Sequence, residues 1–77
     1  MKDAVIIMAD IKPYKIEIDG RKKTMRDVIA VGAYDCNEFI GTMYDSSNEE
    51  LGQVHFDKNM FSDRVKKFSI IRGEYGF

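Results

Sequence analysis

Any chemistry in this chain has to run through very few side chains. It holds one histidine, His55, and one cysteine, Cys36. A nucleophilic Ser62 or Ser69 needs a base and a group that orients it, and His55 would have to serve every such scheme. Cys36 lies among Asp35, Asn37 and Glu38, acidic company for a residue that reacts as an anion. His55 stands far from it along the chain, between Val54 and Phe56, where a strand would turn it outward together with Gln53. A structural zinc takes about four Cys or His ligands, more than the two on offer here. The glycines at 20, 32, 41, 52, 73 and 76 stand singly, so there is no glycine-rich phosphate loop. These residues point away from an enzyme and away from a cofactor.

Two charged stretches are richer. Arg21, Lys22, Lys23 and Arg26 come after the Asp19-Gly20 pair and are flanked by Asp19 and Asp27. Such a cluster neutralises phosphates and releases their counterions, and Tyr14 and Tyr34 would add stacking if they lay beside it. The plainer reading is a solvated turn whose charges protect a sheet edge. Asp45, Glu49, Glu50 and Asp57 form the opposite pole, with no Lys or Arg up to Asp57. A calcium loop beginning at Asp45 would need glycine where Glu50 stands and a bidentate glutamate where Phe56 stands. Calcium is therefore set aside. A polar hairpin loop, or an acidic rim that steers a basic protein partner, fits better.

The elements that position these residues are readable from punctuation and alternation. Asp19-Gly20 is a strong two-residue hairpin signal. Lys12-Pro13, 35–38, 45–50, 57–59 and Gly73 are further breaks, spaced as in a β-meander, sandwich or barrel. Residues 4–11 read as a buried strand. Residues 14–18 alternate, with Tyr14, Ile16 and Ile18 inward. Residues 39–44 and 51–56 read as a hairpin around the acidic loop, and 68–72 as a last strand. Residues 25–34 are two-sided: Thr24 to Asp27 resembles a capping box, but Val28, Ile29 and Val31 are β-branched and Gly32 is a poor helix residue. Strand is preferred. Residues 59–67 place Met60, Phe61, Val65 and then Phe68 on one helical side, which predicts a short helix.

The expected fold is one domain over residues 1–77, mainly β. It is a small antiparallel meander or barrel of five to six strands with one short helix near 59–67. The alternative is an α+β sheet with a helix at 25–34 packed on it. A chain of 77 residues buries only about 60% of its unfolded surface and needs regular packing or self-association. Phe39/Met43 and Ile40/Tyr44 are both apolar pairs, and 28–34 are apolar on both sides, so the faces do not balance. Either the sheet closes on itself or something covers its second face.

The function expected from these residues is a non-enzymatic protein-interaction module, an inhibitor or adaptor that occupies a partner's surface. Met43, Tyr44, Asp45, Glu49 and Glu50 are its contact residues. Homo-oligomerisation is expected too, with 4–9 or 28–34 at the contact. One alternative is a small barrel that binds single-stranded nucleic acid through Arg21, Lys22, Lys23 and Arg26, which the net charge of −1 disfavours. Another is a homo-oligomer that sequesters a small anionic ligand. The apolar run 4–9 is shorter than a secretory core or a membrane span, and with one free thiol this predicts a cytoplasmic chain without a membrane partner. Small size without catalytic sets is common among phage-encoded host-takeover proteins, a remark about a size class only.

Overall fold

The computed structural model describes residues 4–72. Its elements are β1 (Val5–Ile11), β2 (Tyr14–Ile18), β3 (Arg21–Met25), β4 (Ile29–Asp35), β5 (Glu38–Tyr44), β6 (Glu50–Asp57), α1 (Lys58–Arg64) and β7 (Val65–Arg72). Five strands form one antiparallel sheet in the order β6-β5-β4-β1-β7. Among the described residues β2 and β3 pair only with each other. The fold is mainly β, as the alternation predicts, but the sheet is open. β6 and β7 are its edges, so the barrel form of the expectation does not occur.

The described residues hold seven strands because Arg21–Met25 pairs as β3. The segment R-K-K-T-M has no apolar alternation to announce it. The β2–β3 hairpin is an excursion between two neighbouring strands. Its base is closed where the Ile11 N–H donates to the Val28 carbonyl at 2.9 Å. Tyr14 and Met25 pair at its root and pack on the core, while Ile18, expected inward, is 49% exposed at the tip. The molecule is accordingly long, 46 × 26 × 19 Å.

Residues 29–35 are strand. The capping-box pattern at Thr24 to Asp27 does not start a helix, because Asp27 sits at φ +57 and turns the chain out of β3. Val28, next to it, is buried. The helix expected at 59–67 is observed one residue earlier and ends at Arg64. The Asp57 side chain caps it by accepting from the Met60 N–H at 2.8 Å. The Lys12 N–H donates to the Arg64 carbonyl at 2.8 Å and ties the end of α1 to the end of β1.

The core lies between α1 and one face of the sheet. Ile7, Ala9 and Ile11 of β1, Ala30, Phe39, Phe56 and Val65 point to that face, and Phe61 reaches down from the helix. Within it Gly32 of β4 and Gly41 of β5 are register partners in very close approach. A Cβ on Gly32 would collide with the Ile40 carbonyl oxygen and the Gly41 Cα. The Phe39 ring lies over Gly41, so the ring fills the space that two side chains would otherwise take.

β4 and β5 are joined by Cys36 and Asn37, at φ +52 and +65, between the paired Asp35 and Glu38. Two left-handed residues make the tight turn that suits strand twist, and Asn or Gly fills the first position better than Cys. The exposed Cys36 Sγ contact to Asp35 Oδ1 at 3.5 Å offsets little of that cost. Cys36→Asn is expected to stabilise the fold by about 0.5 to 1 kcal/mol. The check is a higher urea midpoint at unchanged slope; a lower midpoint would show that the thiol contributes more than the turn preference.

Candidate functional site

Alternation gives every strand of the sheet a second set of side chains, and α1 covers only the first. The register places the second set in rungs across the sheet. Ile6, Ala33, Ile40 and His55 form one rung. Met8, Val31, Thr42 and Gln53 form the next, with Ser69 beside Met8. Asp10, Ile29 and Tyr44 form the third. The middle three strands thus carry an almost purely apolar patch of Ile6, Met8, Ile29, Val31, Ala33, Ile40 and Tyr44. Ile40 is 59% and Met8 38% exposed, and the others shield one another to half-burial.

Charge sits only at the rim of this outer face. On the β7 side Lys67 Nζ lies 3.8 Å from Asp10 Oδ2. On the β6 side His55 Nε2 lies 3.2 Å from Glu38 Oε1, both well exposed. An apolar centre inside a polar rim is the anatomy of a protein contact surface, whereas scattered single apolar residues are ordinary.

The expected contact residues separate on this geometry. Tyr44 belongs to the outer face, opposite Ile29. Met43 points the other way, half-buried against the core, where it lines a small recess with Ile11, Tyr14, Val54 and Phe56. It is a packing residue. The Asp45 carboxylate turns into its own loop, accepting from the Ser47 and Glu49 N–H groups at 2.8 and 2.9 Å. The Asp45 carbonyl also accepts from the Asn48 N–H at 2.9 Å. Asp45 therefore organises the turn. Glu49 and Glu50 are exposed at the Tyr44 end of the sheet.

The basic residues are not part of this face. Arg21, Lys22 and Lys23 are exposed on β3 and Arg26 at its base. Across the hairpin, Arg21 pairs with Ile18, Lys22 with Glu17 and Lys23 with Ile16. Neither tyrosine joins them. Tyr14 is at the root of the hairpin opposite Met25, and Tyr34 meets Phe61 edge-on with centroids 5.0 Å apart. The hairpin leaves the sheet after Ile11 and returns before Ile29, which pairs with Tyr44. The basic arm and the acidic loop at 45–49 therefore share one end of the sheet.

Among the described residues no three His, Cys, Asp or Glu side chains gather as a cation site, and no helix is long and apolar enough to cross a membrane. The alternation in Ile40/Tyr44 and in 28–34 signals apolar side chains on both faces. Ile6, Met8 and Val31 become parts of one patch only once the register joins their strands. Comparison with protein-family models, with curated proteins and with solved structures finds no match for this chain.

Proposed function

We propose that this chain is a non-enzymatic protein-interaction module, an inhibitor or adaptor that acts by occupying a partner's surface with the outer face of its sheet. The observation that carries the reading is the uncovered apolar patch centred on Val31 and Ile40. An antiparallel sheet with one covered face normally presents a polar second face. Here the middle of the second face is apolar across its three central strands, with Asp10 and Thr42 the polar members of its rungs. The partner that fits is a protein with an apolar patch and basic residues beside it, because Glu49 and Glu50 flank the Tyr44 end.

The test compares three forms of the full chain as bait: the parent, Ile40→Lys, and Arg21→Ala/Lys22→Ala/Lys23→Ala. A charge at the exposed Ile40 leaves the core untouched and should remove the partner. The arm variant should retain it. With the partner in hand, Tyr44→Ala should weaken the complex by about 2 kcal/mol, roughly thirty-fold. Glu49→Lys/Glu50→Lys should chiefly slow association and flatten its salt dependence. An identical set of captured proteins with Ile40→Lys, folded by circular dichroism, would refute the reading.

A second reading has one observation in its favour. The basic arm stands clear of the sheet, with Arg21, Lys22 and Lys23 exposed, as a ribbon that tracks phosphates would. Two features oppose it. Among the described residues no tyrosine lies at the arm's tip to stack bases, and the acidic loop occupies the same end of the sheet. No binding of single-stranded oligonucleotides is expected at physiological salt. Tight binding lost in the arm variant would reverse the two readings.

A further inference from the structure

α1 runs diagonally over its face of the sheet. It follows Asp57 of β6, which pairs with Glu38 at the Cys36-Asn37 end, and it leads into Val65 of β7, which pairs with Ile11 at the opposite end. β6 and β7 are the two edges, so the helix crosses from one corner of the face to the other. Seven residues make a helix about 10 Å long, against roughly 19 Å across five strands. Two corners are left over. Tyr14, from the root of the β2–β3 hairpin, packs into one of them beside Met43 and Val54 and leaves a recess of about 160 Å³. The other is floored by Val5, Ile7 and Tyr34, walled by Phe61 and Phe68, and is an open groove of about 690 Å³. Among the described residues nothing packs into it as Tyr14 packs into the first.

The charges bordering this groove have one sign. Lys58 of α1 and Lys66 of β7 line it, both exposed and neither in an ion pair among the described residues. Lys67 borders it too, but its Nζ lies 3.8 Å from Asp10 Oδ2 and is answered there. The Ser62 Oγ donates to the Lys58 carbonyl at 3.2 Å. No Asp or Glu is among the described residues that line the groove. An apolar floor with two unanswered ammonium groups beside it is complementary to an apolar body with a negative head.

We infer that this groove binds a fatty carboxylate, its hydrocarbon tail on Ile7, Tyr34, Phe61 and Phe68 and its head in the field of Lys58 and Lys66. The groove has the size of a small-molecule site, whereas a stable protein contact buries about 800 Å² on each partner. The tail supplies most of the affinity, roughly four-fold for each CH₂ group it buries. The lysines choose the head: their stems can lie along the apolar wall while the ammonium groups stay in water beside the carboxylate. A bound tail completes the corner that the helix misses, as Tyr14 completes the other one. The groove lies on the α1 side of the sheet, opposite the docking face, so it stands whether or not that face binds a partner.

Titration of the full chain with decanoate, kept below its micelle-forming concentration and followed by side-chain NMR shifts, tests this. The shifts should saturate below about 1 mM and move at Ile7, Tyr34 and Phe68, while Val31 and Ile40 on the outer face stay still. Octanoate, two CH₂ groups shorter, should bind roughly ten-fold more weakly. Decyltrimethylammonium carries a decyl tail on a cationic head and should also lose a factor of about ten. Lys58→Glu/Lys66→Glu, folded by circular dichroism, should bind the cation better than decanoate. Absence of saturation, shifts at Ile40 as large as at Ile7, equal affinity for the two heads in the parent, or an unchanged order in the double variant would each overturn the inference. So would concentration-dependent shifts at Ile7 and Phe68 in the ligand-free chain, which would assign the groove to a second copy. Nuclear Overhauser contacts from residues 73–77 to Phe61 would assign it to the chain's own end and overturn it as well.

Discussion

Gly32→Ala is expected to abolish the folded state at room temperature. The added methyl group would meet the Ile40 carbonyl oxygen and the Gly41 Cα, both backbone atoms of the neighbouring strand. A clashing side chain can rotate away, but a strand can yield only by leaving its ladder. β5 is held to β4 along all seven of its residues and to β6 on its other side. Opening the sheet at Gly32 therefore disturbs its three middle strands and the fully buried Phe39 beside them. Ordinary overpacking costs about 1 to 3 kcal/mol, and collision with backbone belongs at or above the top of that range, about 4 kcal/mol. A domain of this length has roughly 4 to 10 kcal/mol in all, and small ones lie near the bottom. Gly20→Ala is the control. Gly20 has nothing within 4 Å of its would-be Cβ, so only its φ of +77 is strained, at a cost of about 1 kcal/mol. Urea unfolding by circular dichroism separates the two. A parent-like midpoint for Gly32→Ala would mean that β4 and β5 do not approach this closely.

Little in the sequence marks Gly32 for that role. It reads there as a poor helix residue, which helps to choose strand over helix for 25–34, and its partner across the ladder is invisible until register is known. The strands themselves are legible because turn chemistry and alternation agree. Asp19-Gly20 makes its hairpin with both residues at positive φ, and the polar stretch at 45–49 makes the β5–β6 hairpin through Asp45. The Cys36-Asn37 turn is legible only as a polar break, since cysteine is not a residue one looks for in the left-handed region. The least legible feature is which side chains face the core. Period-two alternation assigns sides only where one side is polar. In β5 both Phe39/Met43 and Ile40/Tyr44 are apolar, so Met43 and Tyr44 exchange roles without changing the pattern. Position in space decides: α1 starts directly after Asp57 and crosses the face that holds Phe39 and Met43. The outer face is left over by the placement of a helix of seven residues. The hairpin 39–56 is legible as an element, while the docking surface proposed above is centred on the sheet rather than on the loop.

That dependence on one short helix makes Phe61→Ala the second large effect, expected to cost about 3 to 5 kcal/mol. A seven-residue helix has no stability of its own in water and must be held by what it buries. The sequence pattern offers Met60, Phe61, Val65 and Phe68 as its apolar side. In the fold Met60 is 41% exposed, and Val65 and Phe68 belong to β7, so Phe61 is the helix's only buried residue. Its ring is the hub of the aromatic contacts, 5.7 Å from Phe39, 5.0 Å from Tyr34 and 5.5 Å from Phe68, centroid to centroid. Removing it takes away the helix anchor and uncovers Phe39 and Tyr34 together. The two losses are coupled, so the cost should exceed that of Met60→Ala, about 0.5 kcal/mol, several-fold. The measurement is urea denaturation of both variants, with amide hydrogen exchange on 58–64. Phe61→Ala should unfold at a far lower midpoint, and in any native fraction the helix amides should exchange first. If Phe61→Ala matched Met60→Ala, the helix would be held by its Asp57 cap and its tie to Lys12 instead. The face the helix covers would then owe little to it, and the difference between the two faces of the sheet, on which the docking proposal rests, would lose its physical cause.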